Sequence, residues 1–457
     1  MLTQSKITSG LQCRKRLWAL VHRPPAHNDG TRDLRRNIRM RVLEQALKHV
    51  SEQATLNVAV EHQGVRVIVD ALVPFEQGLK LISVRSAGGV KAHHLKALAI
   101  QWVVAEGAGH PLNRAEIIHI NVDHNGPLTE PLYLTVDVTT DVQRMAAEIG
   151  DELPQLVGCI DGDEPDPEPG RHCFHPYTCP FAGECHPEAP HHTLNELYRV
   201  KARVLNTIKS RGIEYIKDIP DDIPLPPIPA RQRQACRLDS IVLGPGLTSA
   251  LDAISFPAAF IDFEAIQPAI PPWTGCRPFA MIPVQVSIHK VEADGTMTHH
   301  EWLAEDNLDP QPPLARWVAN AIEGAATLIA YHASFEKSIL AKLASVAPQE
   351  DAKALRDAMD RFVDLLPMMR NHVYHPEFRG RFNLKTIVAV LLPELAYSTL
   401  EVQRGDVASM LLEEFIVHGQ PMDASLRAKR RDSLLRYCER DTLSLVELVR
   451  LLRISTA

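Results

Sequence analysis

The sequence has no long apolar run and no apolar segment near its beginning. No stretch of about eighteen uninterrupted apolar residues occurs, which excludes a membrane-spanning helix of the usual kind. The first residues, MLTQSKITSGLQCRKRLW, contain no apolar signal core, so we expect a cytoplasmic rather than a secreted protein. The sequence also has no internal repeat, and only the proline-rich residues 219–230 approach low complexity.

An excess of basic residues is also absent. Lys and Arg number 49 and Asp and Glu number 56, which gives a net charge of −7. This argues against a surface coated in basic side chains, but it leaves room for a local basic groove. The hydrophobic share of 45% and the charged share of 23% are globular values and exclude a mostly disordered or fibrous chain. A chain of 457 residues is longer than one core needs, so we expect two or three domains.

Close C-x-x-C pairs are missing, although the chain has 8 cysteines. Without an export signal, these thiols favour metal or cluster ligation over disulfides. Cys173, Cys179 and Cys185 are evenly spaced, and Cys13 lies far upstream. Four thiolates can bind Zn²⁺ or a [4Fe–4S] cluster, and zinc knuckles favour the close pairs that are absent here. The remaining cysteines have no partner pattern and are expected to be ordinary thiols: Cys159, Cys236, Cys276 and Cys438.

Residues 1–190 predict a mixed α/β sheet. One helix is expected from Thr31 to Val50, and another ends at Gly107. Apolar runs that alternate or are rich in β-branched residues predict strands in between and afterwards. These runs are LNVAVEHQ, VRVIVDALVPF, LKLISVRS and AEIIHINVD. An acidic, proline-rich loop is expected over residues 162–170.

Residues 191–250 predict a basic helix from Leu194 to Lys209, followed by a stiff proline-rich connector. Residues 251–457 predict a second α/β unit with a helix near Pro313–Gly324 and several more towards its end. Its strands are expected in FPAAFIDFEAI, IPVQVSIHKV, TMTHHEWLA and ATLIAYHA. The second and third of these form a hairpin through the turn ADG.

Acidic residues in the second unit form a recurring pattern. Asp262 and Glu264 lie two apart on a strand and share one face, where two buried like charges need a cation. Oxygen ligands suit Mg²⁺ or Mn²⁺. Glu336 opens a helix after a later strand, and Tyr437 precedes Asp441 by one helical turn. Asp364 is an additional candidate. Each carboxylate alone is typical of a helix cap or a solvated group, so the prediction rests on the set.

This set resembles the tyrosine-bearing DEDD exonucleases, the DnaQ-like branch of the RNase H-like fold. The resemblance covers about residues 255–457 and implies two metal ions among Asp262, Glu264, Glu336 and Asp441, with Tyr437 orienting the attacking water. Family members usually carry Asp where this chain has Glu336. The stretches YHASFEKSIL, NHVYHPEFRGRFNLKTIV and YCERDTL are similar to one uncharacterised bacterial family, which pairs this domain with an iron–sulfur RecB-like unit.

The cysteine arrangement resembles that of iron–sulfur RecB-like nucleases. That resemblance implies a [4Fe–4S] cluster on Cys13 and the downstream trio, and a PD-(D/E)XK (restriction-endonuclease-like) site between them. Asp70 matches the first metal ligand of that site, and Gln101 matches the glutamine of the following helix. Ser83 and Arg85 stand where Glu-x-Lys is expected, and neither supplies that chemistry. We therefore expect this site to be inactive, and the domain to bind DNA or act as a scaffold.

Basic residues could hold nucleic acid in either unit. One set falls on one face of the first predicted helix: Arg32, Arg35, Arg36 and Arg39. A second set follows the cysteines: Lys201, Arg203, Lys209 and Arg211. A solvated helix face explains either set equally well. His93 and His94 lack partners at metal spacing and are expected at the surface or in a helix cap.

The sequence thus predicts a metal-dependent nuclease, a 3′–5′ exonuclease acting on DNA. Its chemistry is expected in residues 251–457, and its iron–sulfur unit, residues 1–190, is expected to hold nucleic acid. The alternative is a nucleic-acid-binding or scaffold protein in which both nuclease sites have decayed. A cluster that senses redox state and controls DNA binding is a third possibility.

Overall fold

The computed structural model describes residues 1–25, 31–126, 131–185, 191–419 and 423–456. It confirms a mixed α/β architecture and divides the chain into two compact units. Unit 1 is Met1–Glu188 with Pro268–Ala280, and unit 2 is Ala189–Gln267 with Met281–Ala457. In the described part of the chain, no helix is both long and apolar enough to cross a membrane.

Unit 1 is built on a six-stranded sheet. Its strands are β1 (Leu2–Thr3), β2 (Thr55–His62), β3 (Val65–Phe75), β4 (Gly78–Arg85), β5 (Leu112–Ile120) and β6 (Tyr133–Asp137). The order is β1-β3-β4-β5-β6, with β2 paired to β3. Strands β1 and β3 are parallel, as are β4 and β5, and the other pairs are antiparallel.

Helices cover both faces of this sheet. They are α1 (Gln4–Gly10), α2 (Arg14–His22), α3 (Thr31–Leu47), α4 (Ala92–Gly107), α5 (Thr139–Gly158) and α6 (Ala182–Cys185). Apolar residues of α4 and α5, such as Leu98 and Leu153, pack in one cluster with β3 and β5. Val42 and Leu43 of α3 pack with β4 and β5 in a separate cluster, which Ala269 also joins. The alternation of side chains along β4 supplies residues to both layers.

Unit 2 contains a five-stranded sheet in the order β10-β9-β8-β11-β12 and a two-stranded sheet of β13 and β7. Its strands are β7 (Val242–Leu243), β8 (Ala258–Ile266), β9 (Ile282–Val291), β10 (Met297–Leu303), β11 (Thr327–Ala330), β12 (Phe362–Asp364) and β13 (Val373–Tyr374). The predicted hairpin is confirmed, because Val291 of β9 pairs with Met297 of β10. Strand β11 runs parallel to β8 and β12.

Ten helices of the described residues belong to unit 2. They are α7 (Ala202–Ser210), α8 (Pro227–Leu238), α9 (Leu247–Asp252), α10 (Gln311–Ala321), α11 (Ser334–Val346), α12 (Gln349–Met359), α13 (Leu365–His372), α14 (Leu384–Leu391), α15 (Gly405–Ile416) and α16 (Ala424–Ile454). Helices α10 to α12 pack on the side of β8 that carries Ile261 and Phe263. Helix α16 lies against β8 and β9, where Gln285 donates to the carbonyl of Leu434.

Two local predictions were wrong. The basic helix begins at Ala202, because residues 194–196 form a single 3₁₀ turn. The proline-rich connector does not remain extended to residue 230, because α8 begins at Pro227. Proline is favoured in the first turn of a helix, where its missing N–H has no partner to lose.

Candidate metal-binding site

Strand β8 supplies the first two carboxylates of the site. Ile261 and Phe263 are buried against α10 to α12, so the alternation of the strand turns Asp262 and Glu264 to the other face. Helix α16 brings Asp441 to the same place. Carboxylate oxygens of Asp262, Glu264 and Asp441 all lie within 4.8 Å of one another. The fold therefore brings the two acidic residues of the D-x-E pattern together with Asp441 in one cluster.

Glu336 lies beside this cluster. It occupies the first turn of α11, and β11, which leads into that helix, pairs with β8. Only 2% of Glu336 is exposed, and its buried Oε2 has no hydrogen-bond partner among the described residues. A buried carboxylate oxygen without a donor is costly, and a cation would satisfy it.

The carboxyl groups raise one another's pKa values. Burial and the neighbouring Asp441 raise the pKa of Glu264 to about 8, and burial with the nearby Asp364 raises the pKa of Glu336 to about 8. Burial raises the pKa of Asp441 to about 6. The pKa of Asp262 lies well above its usual value because of burial and the charges of Asp441, Glu264 and Glu336. Hard oxygen ligands held together in this way suit Mg²⁺ or Mn²⁺.

A lysine that the sequence analysis missed adjoins the cluster. Lys385, in the first turn of α14, donates from Nζ to the Tyr437 hydroxyl at 2.9 Å. Its ammonium lies 4.7 Å from the ring centroid of Tyr437 and 4.9 Å from that of Tyr397. Burial lowers the pKa of Lys385, while the charges of Asp441, Glu264 and Asp262 act in the opposite direction. A lysine in the first turn of a helix is unfavourable, because its charge opposes the helix dipole. This position is the sequence feature by which Lys385 could have been found.

Two further side chains also escaped the sequence analysis. Tyr397 donates its hydroxyl proton to the carboxylate of Asp441. Cys438, expected to be an ordinary thiol, is buried with its Sγ 3.7 Å from Oδ2 of Asp262. Tyr397 lies in a short 3₁₀ turn, where no helical period marks it. Tyr437 and Asp441 are both buried on α16, one helical turn apart.

Asp364 is not part of the cluster of Asp262, Glu264 and Asp441, and its carboxylate binds backbone amides. Its side chain caps α13 by accepting from the amide of Leu366 at 2.9 Å. It also accepts from the amides of His332 at 2.8 Å and Ala333 at 3.1 Å. Both carboxylate oxygens are therefore engaged by the backbone, and they fix the turn that leads from β11 to α11. Asp364 orients the turn that carries Glu336.

A second group with metal-ligand chemistry lies on β9, β10 and α16. Ring nitrogens of His289 and His299 and a carboxylate oxygen of Glu439 lie within 4.8 Å of one another. Hydroxyl groups already bond both rings: Thr442 to His289 at 2.8 Å and Ser287 to His299 at 3.0 Å. Burial lowers the pKa of His289 to about 4, so this ring is neutral. These bonds tie β9 and β10 to α16.

The predicted cluster ligands meet in unit 1. Cys13, at the start of α2, lines one cavity with Cys173, Cys179 and Cys185. No three of these sulfurs lie within 4.8 Å of one another. Tetrahedral Zn²⁺ with bonds of about 2.3 Å holds its sulfurs about 3.8 Å apart. The sulfurs are therefore farther apart than a single tetrahedral zinc ion would hold them.

At the predicted PD-(D/E)XK position of unit 1, Asp70 is engaged by protein donors. Oδ2 of Asp70 accepts from the Ser83 hydroxyl at 3.1 Å and the Val84 amide at 2.8 Å. Gln101 donates to Gln4 at 3.0 Å and to a β3 carbonyl at 2.9 Å. Among the residues that the structure describes, Asp70 belongs to no group of three potential ligands. The residues present do not fit a divalent metal.

The predicted basic residues are exposed in both sets. Those on α3 are Arg32, Arg35, Arg36 and Arg39, and those on and around α7 are Lys201, Arg203, Lys209 and Arg211. Arg39 reaches Asp70 at 3.4 Å, and Arg211 pairs with Asp222 at 2.7 Å. His94, in contrast, is buried, and its Nδ1 accepts from the amide of Lys91, as expected for a cap.

Comparison with known proteins gives a family without an assigned function. Residues 259–383 match the family described as "Domain of unknown function (DUF2779)", which is consistent with the resemblance to an uncharacterised family. No curated protein matches the chain. A solved structure titled "Crystal structure of SSO0001" is similar with 12% sequence identity and a TM-score of 0.20, over 34% of this chain and 75% of that chain. A similarity of that size carries no argument about the fold.

Proposed function

We propose that the protein is a metal-dependent nuclease, a 3′–5′ exonuclease acting on DNA, with its active site in unit 2. The observation that carries this proposal is that carboxylate oxygens of Asp262, Glu264 and Asp441 lie within 4.8 Å of one another. Beside them, Oε2 of the buried Glu336 has no hydrogen-bond partner among the described residues. Residues 251–457 are then an RNase H-like domain of the DEDD exonuclease type. A purely structural role does not account for this cluster of carboxylates, because buried like charges destabilise a fold unless a cation neutralises them.

The residues divide the work as follows. Asp262, Glu264, Glu336 and Asp441 would hold two Mg²⁺ or Mn²⁺ ions, which would lower the pKa of the attacking water and stabilise the negative charge on the leaving oxygen. Tyr397 holds Asp441 through its hydroxyl. The Tyr437 hydroxyl, fixed by Lys385, orients the attacking water.

The role of unit 1 in this proposal is to hold nucleic acid. Residues 1–190 are a PD-(D/E)XK, RecB-like unit whose nuclease site has decayed, since Ser83 and Arg85 replace its metal-binding and catalytic side chains. Cys13, Cys173, Cys179 and Cys185 hold a [4Fe–4S] cluster, and the exposed Arg residues of α3 supply phosphate contacts. The location of such a protein is the cytoplasm.

The test is a 5′-labelled DNA oligonucleotide incubated with Mn²⁺ and the full chain. The wild type should produce a ladder of shortening products, and Asp262→Asn should produce none. Glu301→Gln removes an exposed carboxylate of the edge strand β10 and is the matched control, which should retain the ladder. Identical products from the wild type and Asp262→Asn would assign the cleavage to a contaminant and refute the proposal.

The second candidate is a nucleic-acid-binding protein without catalytic activity. The loss of metal ligands around Asp70 favours it for unit 1, and the longer side chain of Glu336 raises the same question for unit 2. The same experiment distinguishes the two candidates, because a binding protein retards the labelled oligonucleotide in a gel and leaves its length unchanged.

A further inference from the structure

We infer that Arg85 forms one side of a phosphate-binding pocket in unit 1, at the position where a related nuclease would hold its metal. The inference deepens the nucleic-acid role proposed for this unit and rests on that role. It does not depend on catalysis in unit 2.

The guanidinium of Arg85 is the first observation. Its Nε and Nη2 atoms are out of contact with solvent, and neither has a hydrogen-bond acceptor among the described residues. Burying a charged donor without an acceptor costs free energy. Nε–H and Nη2–H point from the same edge of the guanidinium plane. That edge matches two oxygens of a phosphate group in a bidentate contact.

Asp70, the acidic group that acts on Arg85, does not supply the missing acceptor. Asp70 accepts from the Ser83 hydroxyl and the Val84 amide through Oδ2, and from Arg39 through Oδ1 at 3.4 Å. No oxygen of Asp70 lies within ion-pair distance of Arg85 in the described part of the chain. The Asp70 charge is near enough to act on Arg85 electrostatically, but both of its oxygens accept hydrogen bonds from other donors.

Apart from Asp70, the described groups that interact electrostatically with Arg85 are basic: Arg39, His93 and His94. Arg85 and Lys91 both act electrostatically on His93 and His94. His119 also acts on His94. Nδ1 of His94 accepts from the Lys91 amide, so the neutral ring carries its proton on Nε2. The positive charge beside Arg85 comes from Arg39 and Lys91, and the two histidines with lowered pKa values add polar groups without negative charge. A metal ion would be repelled there, and an anion with several oxygens would be attracted.

The ligand chemistry is that of a phosphate group, which can come from inorganic phosphate, from the 5′ end of a nucleic acid or from its backbone. All three probes are measured with the full chain in EDTA, where metal-dependent cleavage is blocked. Fluorescence anisotropy reports binding of an oligonucleotide with or without a 5′-phosphate, and thermal unfolding reports binding of inorganic phosphate.

Arg85→Gln is the test variant, and Arg66→Gln is its control, because Arg66 is exposed and pairs with Glu61 on the same sheet. We expect Arg85→Gln to bind the preferred probe about tenfold or more weakly than the wild type and the control. Arg85→Lys should recover only part of the affinity, because an ammonium cannot make the bidentate contact. Removing an unpaired buried charge should leave the fold intact, which circular dichroism checks.

The three probes distinguish the source of the phosphate group. A preference for the 5′-phosphorylated oligonucleotide identifies an end-binding pocket, equal affinity for both oligonucleotides identifies a backbone contact, and stabilisation by inorganic phosphate alone identifies a free-anion site. Each of these results supports the pocket if it disappears in folded Arg85→Gln. Equal binding of all three probes by the wild type and Arg85→Gln overturns it. The exonuclease ladder is measured separately, so failure here leaves the proposed catalysis standing.

Discussion

Glu264 and Glu336 make the stability of unit 2 depend on pH and metal together. Burial raises the pKa of each to about 8 from a usual value of 4.5. Without metal, the folded chain holds these protons where the unfolded chain has lost them. The resulting stability is complete below about pH 4.5 and decreases as the pH rises through about 8. A divalent cation favours the ionised form and displaces the protons.

We therefore expect Mn²⁺ to raise the Tm of the protein more at about pH 8 than at about pH 5.5. Differential scanning calorimetry with and without Mn²⁺ across this range measures the effect. Glu264→Gln should reduce the metal-induced shift and its dependence on pH, whereas Glu301→Gln should change neither. An equal shift at both pH values in the wild type would contradict the assignment of these carboxyls as metal ligands.

Tyr437 and Lys385 are expected to act as one unit. The lysine donates to the tyrosine hydroxyl at 2.9 Å, so removing either leaves the attacking water less well oriented. Tyr437→Phe and Lys385→Met should each lower the single-turnover rate of DNA shortening by roughly 100-fold. The double variant should lose little more, because coupled side chains are not additive. If the rate loss of the double variant equalled the product of the two single losses, Lys385 would not act through Tyr437.

At the scale of elements, Asp364 joins three of them. It caps α13 and holds the backbone between β11 and α11. Asp364→Ala leaves these amides without their acceptor, so we expect a loss of about 2–3 kcal/mol in the free energy of unfolding. Urea denaturation measures it.

The contrasting variant is Asp262→Asn, which replaces a carboxyl whose pKa is raised by burial and by three neighbouring carboxyl groups. In EDTA it should unfold at a higher urea concentration than the wild type, because the neutral amide avoids the free-energy cost of keeping this carboxyl protonated in the folded chain at neutral pH. If Asp364→Ala were as stable as the wild type, the capping role of Asp364 would be wrong.

The elements that sequence predicted best have a strong local signal. The run IPVQVSIHKV became β9 with its expected bounds, and the alternation of β8 placed Asp262 and Glu264 on one face. Side chains without such a signal were missed. Tyr397 reaches Asp441 from a 3₁₀ turn, and Lys385 reaches Tyr437 from a different helix. Such contacts depend on tertiary packing, which no period in the sequence encodes.

At the scale of the whole molecule, the division into units does not follow the order of the chain. Pro268–Ala280 lies between two strands of unit 2 and belongs to unit 1. Its Ala269 and Phe279 pack in the cluster formed by α3, β4 and β5. The composition of the sequence predicts a domain boundary near the proline-rich connector. It does not predict that Pro268–Ala280 belongs to the core of unit 1, because a short apolar segment gives no local sign of the core in which it packs.

The four thiols provide the last prediction, since they connect parts of unit 1 that are remote in sequence. Cys13 immediately precedes α2, whereas Cys173, Cys179 and Cys185 follow the last long helix of the unit. A bound cluster closes this long loop and stabilises the folded form, because an unfolded chain offers no preformed site. Protein purified without oxygen should contain about four irons per chain and absorb visible light.

Cys13→Ser should lose iron and visible absorbance and should unfold at a lower temperature than the wild type. Cys159→Ser is the matched control, because this thiol bonds only to the carbonyl of Leu156 among the described contacts; it should retain the metal and the Tm. Iron analysis, absorbance and calorimetry on the same samples provide the measurements. One zinc ion per chain in place of iron would refute the cluster, and full iron content in Cys13→Ser would remove Cys13 from the ligand set.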